Sequence, residues 1–331
     1  MEAMIDPASR GRLAVWSDLF KARLTLLVLM TTAVGFSLGS SAGVDWKAFL
    51  HTLAGTLLLA AGASALNQYW ERETDARMER TCRRPIPAGE ISPGLALATG
   101  VATSIGGLLY LVACVNPLTA FLGMLTLGSY VFVYTPLKRL TTLNTLVGAV
   151  PGALPPLMGW TGATGQLAPG GWALFTILFF WQLPHFMAIA WLYREDYARG
   201  GHRMLAVVDP DGRRTASTAV RHTLALVAFS LWPFSLGLVH RAYLAGALVL
   251  GAAFFAAGVG FAREVSAARA RRLFFASILY LPLLLGCLVA TRTKALTTAA
   301  ESRQRDAGKF PAGWKLAAAG PPALDHRESV P

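Results

Sequence analysis

The stretch from Asn67 to Pro85 reads NQYWERETDARMERTCRRP. Asn67, Glu71 and Asp75 stand at i, i+4 and i+8, so on a helix their side chains line one face. Three hard oxygen donors at a helix end suit a divalent cation such as Mg²⁺, which is usually held by one or two carboxylates together with substrate phosphates. Arg72, Arg80, Arg83 and Arg84 follow within the same stretch. Guanidinium groups of this kind neutralise an anionic leaving group and meet phosphate oxygens through paired hydrogen bonds. A solvated helix end braced by Glu–Arg pairs would show similar spacing. Asn67 favours chemistry, because it still belongs to an apolar run where polar groups are costly and usually functional.

A second stretch, Trp181 to Leu205, reads WQLPHFMAIAWLYREDYARGGHRML. Glu195 and Asp196 end an apolar run, with Arg194, Arg199 and Arg203 beside them. Pro184 can kink the helix and open a cavity. His185 lies about ten residues inside the run, and two readings stay open: a core histidine bonded to a carbonyl, or a contact to a polar or metal-bearing substrate. Asp209 and Asp211 fall in the following loop, outside this helix-end group. A third cluster, YTPLKR, spans Tyr134 to Arg139. Its Lys138 suits either a point-charge phosphate contact or ordinary membrane anchoring.

The elements that carry these residues are set by composition. Of the 331 residues, 54% are hydrophobic and only 15% charged, with a mean hydropathy of +0.47. Soluble domains carry about 25% charge, so the chain reads as an all-α polytopic membrane bundle. A span needs roughly 20 apolar residues. Nine stretches qualify: 24–40, 48–68, 94–114, 117–135, 143–160, 171–192, 219–239, 243–262 and 273–291. The fifth is interrupted by Pro151, Pro155 and Pro156, which is tolerated where neighbours or cavity water satisfy the freed backbone groups. That places the fifth helix inside the bundle, beside something polar. The absence of period-2 alternation excludes a β-barrel.

Basic residues orient the chain. With an internal N-terminus, 21 Lys and Arg fall in inner segments and two, Lys47 and Arg241, in outer loops; the positive-inside rule then sets the inner side as cytoplasmic. The net charge of +12 fits this orientation and anionic lipid. No basic stripe interleaved with aromatics points to nucleic acid. Cys82, Cys114 and Cys287 form no CxxC pair, which argues against a zinc or disulfide framework. The N-terminal residues lack the apolar run of a secretory signal. The organisation expected is a cytoplasmic segment 1–23, a membrane domain 24–291 with inner-side cap loops, and a disordered tail 292–331. All three chemical clusters then sit at inner helix ends, at one membrane depth. The implied ligand has a diphosphate head and an apolar tail, as in a prenyl diphosphate.

The combination resembles the UbiA superfamily of intramembrane prenyltransferases. Asn67-x3-Glu71-x3-Asp75 is similar to its first metal motif. DARMERTxxRP at 75–85, YTPLKR at 134–139 and WQxPHFxAIAWxYREDYxRGG at 181–201 resemble its haem branch, with similarity running from about Leu24 to Leu288. The resemblance implies transfer of the farnesyl group of farnesyl diphosphate to the 2-vinyl group of haem B, giving haem O. It implies Mg²⁺ on Asn67, Glu71, Asp75 and Asp196, joined by Glu195, with the first four residues catalytic. The diphosphate would be held by Arg72, Arg80, Arg84, Tyr134, Lys138 and Arg194, and haem by His185. Farnesyl diphosphate, haem B, the lipid bilayer of a bacterial inner membrane and the next haem-modifying enzyme are the partners implied; nucleic acid is not. Two departures stand out. Gly200 occupies the position four after Asp196 where the wider superfamily has a second aspartate. Ala22, between Lys21 and Arg23, replaces a common proline. An ion-coupled transporter would place carboxylates in mid-span, which this chain does not. A prenyltransferase of quinone precursors is the same-fold alternative, and the 181–201 run argues against it.

Overall fold

A computed structural model describes residues 11–40 and 43–293; the expected tail beyond 293 and residues 1–10 lie outside the described residues. The described chain is helical. Its elements are α1 (Arg12–Leu19), α2 (Ala22–Gly39), α3 (Trp46–Asp75), α4 (Pro93–Cys114), α5 (Pro117–Gly128), a π-helical turn (Ser129–Tyr134), α6 (Thr135–Leu140) and α7 (Asn144–Thr164). They continue as α8 (Pro169–Leu192), α9 (Arg194–Arg199), a 3₁₀ turn (Leu205–Val207), α10 (Arg213–Ser230), α11 (Trp232–Ser235), α12 (Arg241–Arg263) and α13 (Ala267–Ala290). Short side chains start several helices. Asp45 accepts from the amides of Lys47 and Ala48, Ser92 from Leu95, Asn116 from Thr119 and Ser266 from Arg269, which satisfies amides that have no partner within the helix.

Seven helical stretches are long and apolar enough to cross a membrane: 22–39, 46–75, 93–114, 117–140, 169–192, 241–263 and 267–290. Helices α7 and α10 fall outside that set by hydropathy, and with them the described residues hold nine long helical stretches. Large apolar side chains face outward along the spans; Leu109, Val249 and Leu279 are 65%, 69% and 64% exposed, a surface suited to lipid. The seventh expected span, 219–239, is corrected. Its helix starts earlier, at Arg213, and stops at Ser230. Pro233 brings no amide to the chain, and Gly237 turns at φ +70°.

The fifth pass matches its expected place. Helix α7 stays helical through Pro151, Pro155 and Pro156, and almost every residue from Pro151 to Thr161 is buried. It packs against α2 and α8. A Cβ on Gly35 would run into the Pro156 carbonyl oxygen, and one on Gly159 into that of Thr32. The two backbones therefore cross in direct contact, as small residues allow within membranes. The polar neighbour is Gln182, whose amide lies against Gly152 and donates to the Ala149 carbonyl at 3.2 Å.

One end of the bundle gathers the loop 76–92, the 138–143 turn and the segment 193–212. The Arg203 amide donates to Lys138 O at 2.7 Å, and Gln68 Nε2 ties the end of α1 through Asp18 O and Leu19 O. The opposite end is joined differently. Asn116 Nδ2 donates to Thr161 O at 2.9 Å, Val239 bridges Arg292, and Arg292 Nη1 donates to Ser37 O at 2.9 Å. The Thr293 amide donates to Leu238 O at 2.9 Å, and α2 touches α13.

Candidate active site

The α3 face forms as the spacing requires. Asn67 and Asp75 are fully buried and Glu71 is 6% exposed. Each side chain meets a cation from another part of the chain. Lys21 Nζ donates to Asn67 Oδ1 at 2.6 Å, Lys138 Nζ to Glu71 Oε1 at 2.7 Å, and Arg84 Nη1 to Asp75 Oδ2 at 2.6 Å. Asn67 Nδ2 donates to Thr135 Oγ1 at 3.1 Å, which fixes the amide with its oxygen turned to Lys21. Lys21 also approaches the Tyr130 hydroxyl at 3.4 Å. The Lys138 ammonium lies 4.7 Å from the Tyr134 ring centre.

The supporting elements explain these contacts. The π-helical turn 129–134 shifts the ladder just before α6, a feature common at functional sites. It brings Tyr130, Tyr134 and Thr135 to the α3 face. Lys21 joins α1 to α2 at φ +47°, the only non-glycine positive φ among the described residues. That left-handed conformation is disfavoured for a side chain with a Cβ. Burial, reinforced by the charges of Arg84 and Lys138, lowers the Lys21 ammonium to about 7.

The donor set fits a hard divalent cation. Asp75 Oδ1 is buried with no hydrogen-bond partner, although its other oxygen is held by Arg84. An orphaned carboxylate oxygen beside two further oxygen donors leaves coordination capacity that phosphate oxygens would complete. Asn67, Glu71 and Asp75 would hold such an ion. No group of three His, Cys, Asp or Glu among the described residues gathers for a metal, so Glu195 and Asp196 do not converge on Glu71 and Asp75.

Asp196 has a different place from the one expected. Its Oδ1 accepts from the Glu79 amide at 2.7 Å and from Arg199 Nη2 at 3.0 Å, and its Oδ2 accepts from the Arg80 amide at 3.3 Å. Burial works against its charge, but these bonds outweigh it and hold the carboxyl below its usual range. Asp196 therefore clamps the loop 76–92 to the end of α8 instead of facing the α3 oxygens. Glu195 is exposed. Arg72 is corrected too. One residue past Glu71 it points around the helix, lying 4.8 Å from the Tyr69 ring centre and bonding Tyr69 O and Glu73.

Arg80 and Arg194 border a separate cavity of about 670 Å³. Arg80 lies over the rings of Tyr193 and Tyr197, and Arg194 over Trp191 at 4.3 Å. Asp209, read as an ordinary loop residue, is 2% exposed, and its Oδ2 accepts from the Thr215 amide and hydroxyl, both at 2.7 Å. It caps the start of α10. Spacing alone offered no signal for Lys21 or Thr135, whose roles come from contacts across the bundle.

His185 sits in α8, half-buried. Its ring stacks between Trp181 and Phe274, with centroids 5.0 and 5.2 Å away, and its Nδ1 lies 2.7 Å from Ser277 Oγ. The partner is a side chain of α13 and not a backbone carbonyl.

Comparison with known proteins agrees with this arrangement. The model of the UbiA prenyltransferase family matches residues 28–279. A protoheme IX farnesyltransferase of Solibacter usitatus is 49% identical over 284 residues, covering 83% of this chain and 97% of that protein. Among solved structures, a digeranylgeranylglyceryl phosphate synthase superimposes with a TM-score of 0.72 at 15% identity, covering 84% of this chain and 98% of its own. A UbiA homologue from Archaeoglobus fulgidus bound to GPP and Mg²⁺ gives 0.57 at 16% identity, covering 84% of this chain and all of that one.

Proposed function

We propose that this chain, which belongs to the UbiA prenyltransferase family, transfers the farnesyl group of farnesyl diphosphate to the 2-vinyl group of protohaem IX and so makes haem O. The observation that carries the reading is the α3 face: three buried oxygens, each matched by a cation, on a chain close in sequence to protoheme IX farnesyltransferases. The reaction breaks the allylic C–O bond, with the electron pair leaving on diphosphate. A C–C bond forms to the terminal vinyl carbon, and water adds to the adjacent carbon as hydroxyl with loss of a proton.

Lys138 and Arg84, poised on Glu71 and Asp75, turn toward the diphosphate oxygens as these arrive, and Lys21 does the same from Asn67. Mg²⁺, supported by the ion in the archaeal homologue, supplies charge neutralisation on the leaving group when held by Asn67, Glu71 and Asp75. Tyr130 and Tyr134 line the approach to these cations. Asp196 and Arg199 hold the loop 76–92 over the site. Arg80 and Arg194, each over an aromatic ring, suit anionic groups of either substrate. His185 contacts the porphyrin. The enzyme is a multi-pass protein of a bacterial inner membrane, with the loops 76–92 and 193–212 facing the cytoplasm. Purified protein given farnesyl diphosphate, protohaem and Mg²⁺ should yield a pigment heavier than protohaem by one farnesyl group plus one hydroxyl. A product lacking the farnesyl mass would overturn the reading.

A further inference from the structure

The hydrogen-bond geometry around His185 fixes which ring nitrogen carries the proton. Ser277 Oγ lies 2.5 Å from the Phe274 carbonyl oxygen. Two oxygens come that close only with a hydrogen between them, and the hydroxyl is the sole donor of the pair. The single hydroxyl hydrogen is therefore committed to Phe274. The 2.7 Å contact between Ser277 Oγ and His185 Nδ1 must then be a bond in which Nδ1–H donates and the hydroxyl accepts. A neutral imidazole with its proton on Nδ1 carries a lone pair on Nε2, and Nε2 has no hydrogen-bond partner among the described residues.

The surroundings hold the ring in that state. Trp181 and Phe274 cover its two faces, with interplanar angles of 20° and 26°. Trp181 Nε1 donates to Ser277 O at 2.8 Å, which ties α8 to α13 at the same level. His185 keeps part of its surface exposed, and with both faces covered and Phe186 edge-on at 5.5 Å, the Nε2 lone pair lies at the rim of the ring, in the ring plane. Neutral imidazole presented this way is a metal ligand whose other nitrogen is oriented by an outer hydrogen bond.

We infer that Ser277 is a positioning residue that locks His185 in the Nδ1–H form and presents Nε2 to the iron of the porphyrin substrate. This rests on the proposal that protohaem is that substrate. The contact goes beyond apolar packing of the macrocycle: the protein recognises the metal at its centre, so iron porphyrin and metal-free porphyrin differ in affinity.

The test uses full-length protein in lipid nanodiscs, titrated with ferric protohaem and separately with metal-free protoporphyrin IX. Ser277→Thr and Ser277→Val have nearly the same shape and differ in the hydroxyl. The wild type and Ser277→Thr should show a nitrogen-ligated ferric spectrum. Ser277→Val should bind ferric protohaem about tenfold more weakly and metal-free porphyrin as the wild type does. His185→Ala should lose the nitrogen-ligated spectrum, and added imidazole should restore it. Equal affinities and spectra for the Thr and Val variants would overturn the inference, as would equal weakening toward both porphyrins. Product mass in the wild type separates the two claims. A nitrogen-ligated spectrum without farnesylated product would overturn the reaction and leave the iron contact standing. Farnesylated product with an iron spectrum indifferent to His185 would do the reverse.

Discussion

Glu71 and Asp75 are buried against single cations, Lys138 and Arg84, that lie 67 and 9 residues away. Glu71→Gln and Asp75→Asn keep the shape and remove the charge. Each should lower turnover by about 10²–10³, the usual loss for an electrostatic contact of this kind, measured by product mass across a Mg²⁺ series. Asp211→Asn, exposed beside Arg213, should stay near wild type. Asp209→Asn disturbs the α10 cap and should lower stability by roughly 0.5–2 kcal/mol. His202 offers a pH prediction. Burial, with the charge of Lys138 adding to it, lowers its imidazole to about 4 from an ordinary 6.5. The folded state thus keeps the neutral ring where the unfolded chain takes up a proton. Stability is unaffected above pH 6.5 and falls between 6.5 and 4, by roughly 3 kcal/mol at the lower end. Melting curves of His202→Gln should be flatter over that window; an unchanged slope would remove His202 as the cause. The acid face was legible because a helix repeats every 3.6 residues. Its cations were not, since nothing in local spacing sets Lys21 opposite Asn67 or takes Asp196 to the amides of Glu79 and Arg80.

Helix α7 shows how an element can carry three prolines and still be central. Its passage against α2 depends on Gly35 and Gly159, where an added methyl meets a backbone carbonyl. Gly35→Ala or Gly159→Ala should cost about 1–3 kcal/mol, the range for overpacking, read as a lowered Tm in detergent. Gly286→Ala, with nothing near its Cβ position, should leave Tm unchanged. The loop 76–92 has little regular structure and rests on the Asp196 clamp. Asp196→Asn weakens both amide bonds, so the loop should be cut faster by trypsin, whose targets there include Arg77, Arg80 and Arg83. Unchanged cutting, with loss confined to Mg²⁺ dependence, would return Asp196 to the metal. Helix α7 was visible in the sequence as an apolar run despite its prolines. The end of α10 was not, because the apolar pattern continues through Leu231, Trp232 and Phe234 while Pro233 and the Gly237 turn interrupt the backbone.

Over the described residues, the succession of long helices puts the acid face and Arg292 at opposite ends of the bundle. Cysteines introduced beside Arg80, Arg139 and Arg213 should react with a membrane-impermeant reagent only in inside-out vesicles, and one beside Arg241 only in right-side-out vesicles. Labelling of the first three from outside would invert the orientation. Hydropathy marked the long helices but not the number that cross the membrane, since seven of them are long and apolar enough to do so. It was silent about which helices meet, because all the lipid-facing sides look alike. The contact between Arg292 and Ser37 joins positions 255 residues apart and draws the last long helix against the first. At about 5–20 residues per second, a ribosome needs roughly 13–50 s to travel that distance. For that interval α2 stands in the bilayer without its final neighbour, and the Ser37 carbonyl has no guanidinium to meet it. Completion of the circle is therefore a late event in the life of each copy. A chain released before residue 292 should be inserted, lipid-bound and open along one seam.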